Sequence, residues 1–271
     1  MKSLSALYPI WFCDIWGVVH DGYQPFVKTC LTLAAHRKAG GLTILVTNSP
    51  RTSSGVEKQL DEIGVPRNSY DSIVTSGDVT RTLMVEQGGG KLYHLGPARD
   101  VSIFDGLDIQ RVELEQATSV VCTGLNDEVN ETPADYLSLL HQIKSLGLTF
   151  ISANPDKIVR KGKDLIYCAG ALAEEFQNIG GKVLMAGKPF TPIYDLAVTT
   201  SESLRGKSVS KSQILAIGDG PDTDIKGATD YGLPCVLITG GINAEGDVLA
   251  DVQRRVPHAQ IVKSLPELDW T

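Results

Sequence analysis

The chain has 271 residues, a length that at roughly 150 residues per domain suggests about two domains. Hydrophobic residues make up 42% and charged residues 21%, which excludes a disordered, collagen-like or coiled-coil chain. Thirty-two acidic against 25 basic side chains leave a net charge of −7 with no Lys/Arg-rich run, so neither a nucleic-acid backbone nor an anionic membrane is the expected partner.

The five cysteines, Cys13, Cys30, Cys122, Cys168 and Cys235, are scattered with no CxxC pair, the pattern of reduced core thiols. No window approaches the ~18 apolar residues of a membrane span. The first residues meet Tyr8-Pro9 and then Asp14 without the long apolar stretch of a signal peptide. A soluble, cytoplasmic protein is expected.

In chain order, short apolar runs alternate with amphipathic stretches. Residues 10–16, 42–47 and 72–75 read as buried strands, and residues 53–63 as a helix with a Ser cap and with Glu57 and Lys58 outward. A Gly88-Gly89-Gly90 turn opens a middle series: strands at 91–95, 119–122 and 149–152, a helix at 132–146 and another near 171–179. The 132–146 helix starts on Thr132 as N-cap with Pro133 and Asp135 in its first turn, and its apolar face is Leu137, Leu140, Ile143 and Leu146. Beyond Gly187 come a helix at 192–204, a strand at 212–217, a helix at 224–231 and a strand at 234–239. Such alternation predicts an α/β protein with a doubly wound parallel sheet. Its core is expected to comprise residues 1–79 and 186–271, with residues 80–185 forming an inserted α/β domain.

Carboxylates stand at the carboxyl ends of two predicted core strands, where α/β sheets place their ligands. Asp14 follows Phe12-Cys13, and an acid so deep in an apolar strand is costly unless paired, hydrogen-bonded or metal-bound. Asp219, Asp222 and Asp224 follow the second strand, and such crowding of acids is relieved by a cation; hard oxygen ligands without His or Cys point to Mg²⁺. Asp224 also reads as a helix N-cap and Asp222 as a turn residue. Thr47-Asn48-Ser49 ends a strand ahead of a helix start, whose free N–H groups suit phosphate. Lys188, in Gly187-Lys188-Pro189, is placed to supply a point charge for an anion or a carboxylate.

In this order the four pieces resemble the haloacid-dehalogenase-like (HAD) hydrolase superfamily, and within it class IIA, the 4-nitrophenylphosphatase and sugar or nucleotide phosphatase group. The resemblance runs through Asp14–Gly22, Thr47-Asn48-Ser49, Ala186-Gly187-Lys188-Pro189 with Tyr194, and Gly218-Asp219 through Thr223-Asp224-Ile225 to Gly227-Ala228. Asn154-Pro155-Asp156 and Ala169-Gly170-Ala171 match segments of the class IIA cap. It implies a Rossmann-like core with the insert as its cap, and Mg²⁺-dependent hydrolysis of a small phosphomonoester, a sugar phosphate or nucleotide, through an aspartyl-phosphate. Asp14 is then the nucleophile. Asp14, the Trp16 backbone carbonyl, Asp219 and Asp224 hold Mg²⁺. Thr47, Asn48, Ser49 and Lys188 hold the phosphoryl oxygens, Lys188 also neutralising charge, and Asn154 and Asp156 contribute to substrate binding. The expected partner is a small phosphorylated metabolite, and the resemblance extends to a homodimer through the cap.

The chain departs from the family at Trp16, where phosphatases of this superfamily carry a second Asp that protonates the leaving oxygen. Tryptophan cannot transfer a proton this way, and general acid catalysis contributes about 10²–10⁴-fold. His20 and Asp21 are the candidate substitutes. The alternative function is a phosphorylated-ligand binding or regulatory protein on the same fold with little turnover. Superfamily dehalogenases also carry an aromatic residue here but work without Mg²⁺, so the acids at Asp219 and Asp224 favour phosphate chemistry.

Overall fold

The computed structural model describes residues 1–87, 90–161, 164–241 and 247–271; Gly88-Gly89 of the predicted turn lie outside the described residues. The strands are β1 (Ile10–Cys13), β2 (Leu42–Thr47), β3 (Ser72–Thr75), β4 (Gly90–Leu95), β5 (Ile109–Arg111), β6 (Ser119–Cys122), β7 (Thr149–Ser152), β8 (Ile158–Lys161), β9 (Asp164–Tyr167), β10 (Val183–Met185), β11 (Ile214–Gly218), β12 (Cys235–Ile238) and β13 (Ile261–Leu265). The helices are α1 (Lys2–Leu7), α2 (Val27–Lys38), α3 (Ser53–Ile63), α4 (Ser76–Glu86), α5 (Leu137–Ser145), α6 (Ala169–Asn178), α7 (Thr191–Arg205), α8 (Lys226–Tyr231) and α9 (Val248–Arg255). No described helix is long and apolar enough to cross a membrane.

The chain divides into two compact units, one made of Met1–Thr47, Gly55–Val74 and Lys188–Thr271, the other of Asn48–Ser54 and Thr75–Gly187. The first holds a six-stranded sheet in the order β13-β12-β11-β1-β2-β3, with β1 parallel to both β2 and β11. Every residue of β1, β2, β11 and β12 is buried, as a parallel sheet covered on both faces requires. Trp11, Leu33, Leu45, Leu60, Leu215 and Val236 lie at the centre of its core. The second unit has a parallel five-stranded sheet, β10-β7-β6-β4-β5, and the antiparallel pair β8-β9. Phe150 and Phe176 pack there with ring centroids 5.3 Å apart.

Several expectations shift. Segments 48–54 and 75–79, expected in the core, group with the middle unit instead. The Gly77 N–H donates to the Ser49 carbonyl (3.1 Å) and the Ser53 N–H to Asp78 Oδ1 (3.1 Å), so Asp78 rather than a serine side chain serves the start of α3. β1 stops at Cys13 because the chain turns at once, with the Val19 N–H bonded to the Ile15 carbonyl at 2.7 Å. The 132–146 helix opens with a 3₁₀ turn over Pro133–Tyr136. Leu140 and Ile143 are buried, but Leu137 and Leu146 are 39% and 45% exposed. Positions three apart in a 3.6-residue helix drift by about 60° per step, so Leu137 at one end of the stripe and Leu146, past the last helical residue, fall on opposite sides of the buried pair. β13 was absent from the sequence reading because it is a half-exposed edge strand carrying Lys263.

Buried histidines make this fold acid-sensitive. Burial pulls His20, His36 and His94 from 6.5 to about 4. His36 stacks on Trp11 with centroids 3.8 Å apart and shares a 2.7 Å hydrogen bond with Ser5 Oγ. These groups are neutral when folded, so the stability they contribute is complete above pH 6.5 and is lost as pH falls through 6.5 toward 4. For the fully buried His20 and His36 this is on the order of 3 kcal/mol each. Urea denaturation followed by circular dichroism should show the midpoint falling steeply below pH 6.5 and levelling near pH 4; a midpoint constant across that window contradicts it.

Candidate active site

Parallel register sets the site. Cys13 of β1 lies against Ile217 of β11, and the Asp14 N–H donates to the Ile217 carbonyl at 2.8 Å, so Asp14 and Asp219 leave the sheet together at its carboxyl edge. Asp224 returns to them from a π-helical turn over Pro221–Ile225, which replaces the predicted helix start, and its Oδ2 accepts the Gly220 N–H at 3.0 Å. Two glycines make room for these acids. A Cβ on Gly218 would lie 2.2 Å from Asp224 Cγ, and one on Gly17, at φ +84°, would lie 2.3 Å from Asp219 Oδ2.

Lys188, just ahead of α7, completes the cluster. Its Nζ donates to Asp14 Oδ1 (2.5 Å), Asp224 Oδ1 (2.7 Å) and the Val46 carbonyl (2.9 Å). Lys188 is 4% exposed, and Asp14, Asp219 and Asp224 are 7% each. Against them lies a cavity of about 10 Å³ lined by Tyr194, Phe12 and Cys235, room for no more than one water.

The electrostatics call for a further cation. Burial pushes the Asp14 carboxyl well above its ordinary range, Asp224 pushes the same way, and Lys188 opposes both. Burial pulls the Lys188 ammonium down, but Asp14 and Asp224 together outweigh it, so it holds its proton tightly. Three buried carboxylates against one ammonium leave this described cluster with a net of about two negative charges if all are ionised. One oxygen from each carboxylate lies within 4.8 Å of the others. A hard, all-oxygen donor set with that charge fits a divalent cation of the Mg²⁺ or Ca²⁺ kind.

The structure thus brings together four of the expected site residues, Asp14, Lys188, Asp219 and Asp224. Thr47 is buried at the end of β2. Asn48, Ser49, Asn154 and Asp156 belong to the middle unit. Asn48 Nδ2 donates to Asp156 Oδ1 (2.9 Å), and the Asp156 N–H to Asn154 Oδ1 (2.9 Å). The Ser49 hydroxyl accepts the Arg51 N–H at 3.3 Å. The Val46 carbonyl was not foreseen, because a backbone acceptor leaves no mark in a sequence.

Trp16 is half-buried. Its ring meets His20 edge-on at 5.2 Å and covers Gly22, where a Cβ would lie 2.6 Å from the ring. Its Nε1 is buried with no hydrogen-bond partner among the described residues. His20 Nδ1 accepts the Gly22 N–H at 2.9 Å, which leaves that nitrogen unprotonated. Asp21 Oδ1 accepts the Tyr23 and Gln24 N–H groups, both at 2.9 Å; burial pushes the carboxyl up, but these hydrogen bonds together outweigh it and hold it below its ordinary value.

The chain is similar to several known proteins. The family profile described as haloacid dehalogenase-like hydrolase matches residues 11–110, and one described as HAD-hydrolase-like matches 185–268. A haloacid dehalogenase-like hydrolase from Brucella suis 1330 is 48% identical over 99% of this chain and 98% of its own, with a TM-score of 0.89. An acid sugar phosphatase from Staphylococcus aureus is 28% identical over 82% of each chain. A glycerol phosphate phosphatase from Mycobacterium tuberculosis, solved in complex with magnesium, is 24% identical over 90% of this chain and 72% of its own, with a TM-score of 0.70. With nearly half of its residues shared along almost its full length with the Brucella protein, the chain belongs to the haloacid dehalogenase-like hydrolases.

Proposed function

We propose that the protein is a Mg²⁺-dependent phosphatase that moves the phosphoryl group of a small phosphomonoester first to Asp14 and then to water. The observation that carries this reading is the buried Lys188 ammonium bridging Asp14 and Asp224 at the carboxyl edge of the sheet, beside Asp219. Asp14 supplies the attacking carboxylate oxygen, a recognised form of covalent catalysis. Lys188 fixes the orientation of that carboxylate and adds positive charge where the phosphoryl oxygens gather it. Asp14, Asp219, Asp224 and the Trp16 carbonyl would hold Mg²⁺, which when bound supplies further charge stabilisation to the phosphoryl group. Thr47, Asn48 and Ser49 are assigned to the phosphoryl oxygens, and Asn154 and Asp156 to the rest of the substrate. The names of the Staphylococcus and Mycobacterium relatives support phosphate-ester hydrolysis, and the magnesium complex of the latter supports the metal.

The direct test is release of 4-nitrophenolate from 4-nitrophenyl phosphate. Turnover is expected with Mg²⁺, should vanish on chelation, and should return when Mg²⁺ is restored. Saturable binding of phosphate compounds with no turnover under any metal would instead establish the binding-protein alternative.

A further inference from the structure

The turn after Asp14 has a consequence for the leaving group, and it rests on the phosphatase reading above. Between Asp14 and Asp21 the side chains are Ile15, Trp16, Val18, Val19 and His20, none of them a carboxylic acid. The Trp16 indole Nε1–H is a donor only and does not release its proton in water. Its ring is held between the His20 edge and Gly22, so it is a fixed part of the turn. His20 directs Nδ1 at the Gly22 N–H, so its single ring proton sits on Nε2 of a neutral imidazole, a hydrogen-bond donor but a very weak acid, and Asp21 spends one carboxylate oxygen on two backbone N–H groups at the exposed side of the turn. Asp224 is bonded to Lys188 and to the Gly220 N–H. The described turn therefore presents no side chain arranged to give a proton to a departing oxygen.

We infer that the turn after Asp14 supplies no proton-carrying side chain to the reaction, and that the site therefore favours phosphoryl donors whose leaving oxygen is a weak base, acyl or aryl phosphates, over alkyl esters. In the first half-reaction the Asp14 oxygen bonds to phosphorus, and the phosphorus–oxygen bond to the leaving group breaks with its electron pair. A carboxylate or phenolate departs stably as the anion, whereas an alkoxide needs a proton as it leaves. In the second half-reaction a water oxygen bonds to phosphorus, the bond to Asp14 breaks, the carboxylate is regenerated and the water's proton passes to solvent. The side chain that would have acted as acid in the first half would act as base here. Its absence slows this half too, so the aspartyl-phosphate accumulates when the first half is fast.

The experiment compares wild-type protein on 4-nitrophenyl phosphate, ring-substituted phenyl phosphates and glycerol 3-phosphate at saturating Mg²⁺. Because kcat/KM reports the first half-reaction, it should fall steeply with leaving-group basicity and favour aryl over alkyl esters by about 10²–10⁴-fold, the scale of a missing general acid. Rapid mixing with 4-nitrophenyl phosphate should give a burst approaching one nitrophenolate per chain. Trp16→Asp should narrow the ratio and remove the burst; if that variant does not fold, the wild-type measurements decide by themselves. Equal kcat/KM for aryl and alkyl esters overturns the inference while leaving the phosphatase reading in place. A linear first turnover overturns the slow second half. Release from no ester at all overturns the phosphatase reading itself, and this inference falls with it.

Discussion

Replacing Asp14 by Asn is expected to lower kcat by at least about 10⁴-fold, the scale on which loss of a covalent nucleophile acts, while the protein stays folded. An amide oxygen cannot attack phosphorus, yet it can still accept the Lys188 proton now given to Asp14 Oδ1. The burial and the neighbouring Asp224 that push the Asp14 carboxyl up show a negative charge held at some cost, so removing it relieves repulsion as well as losing an attraction. The melting temperature should accordingly be unchanged or higher in metal-free buffer. Two measurements settle the point: steady-state turnover of 4-nitrophenyl phosphate, and mass spectrometry of protein quenched in acid during turnover. A phosphoryl adduct is expected on Asp14 in the wild type and nowhere in Asp14→Asn. Undiminished turnover in the variant eliminates the covalent mechanism.

Lys188→Met should have the largest effect on stability. Lys188 donates to Asp14, Asp224 and the Val46 carbonyl, and removing it takes the ammonium away from three buried carboxylates that face one another. Breaking a buried ion pair by deleting one partner costs about 3–5 kcal/mol. In a chain of this size that lowers the melting temperature by on the order of 10 °C. Turnover should also vanish. Mg²⁺ should then raise the melting temperature more in Lys188→Met than in wild type, because a ligand that binds only the folded state stabilises it by mass action, here against a larger net negative charge. A melting temperature insensitive to both the substitution and Mg²⁺ would falsify the electrostatic account of the cluster.

Much of this was legible from residues alone, and the reason differs by feature. The strands at 42–47, 72–75, 119–122 and 149–152 match their predicted ranges because continuous apolar runs bounded by turn residues have one outcome in a two-sided parallel sheet. The 53–63 helix is matched for the same local reason. β13 and the β8-β9 pair were not legible, since partly exposed strands carry too little apolar pattern to stand apart from loops. Leu137 and Leu146 are exposed because a strict three-residue spacing drifts by about 60° per step around a 3.6-residue helix, which leaves only its middle members, Leu140 and Ile143, facing the core.

For the site, the residues themselves put carboxylates at Asp14 and at Asp219, Asp222 and Asp224, a lysine at 188 ahead of a helix, and no carboxylic acid two residues after Asp14. Those are properties of side-chain chemistry, which a sequence states outright, while the union of Asp14, Lys188, Asp219 and Asp224 in one site was implied by the family resemblance. Only the tertiary structure decided which partners meet. Lys188 bonds Asp14 across 174 positions and Asp224 across 36, and it takes its third acceptor from the backbone of β2. Asn48, expected at a phosphate, gives its amide proton to Asp156, 108 positions away. The boundary of the middle unit moved for the same reason, since Gly77 closes on the Ser49 carbonyl and Asp78 on the Ser53 N–H. A hydrogen bond forms where two groups are brought within about 3 Å, and that proximity is set by the packing of whole strands and helices, which no local window of residues contains.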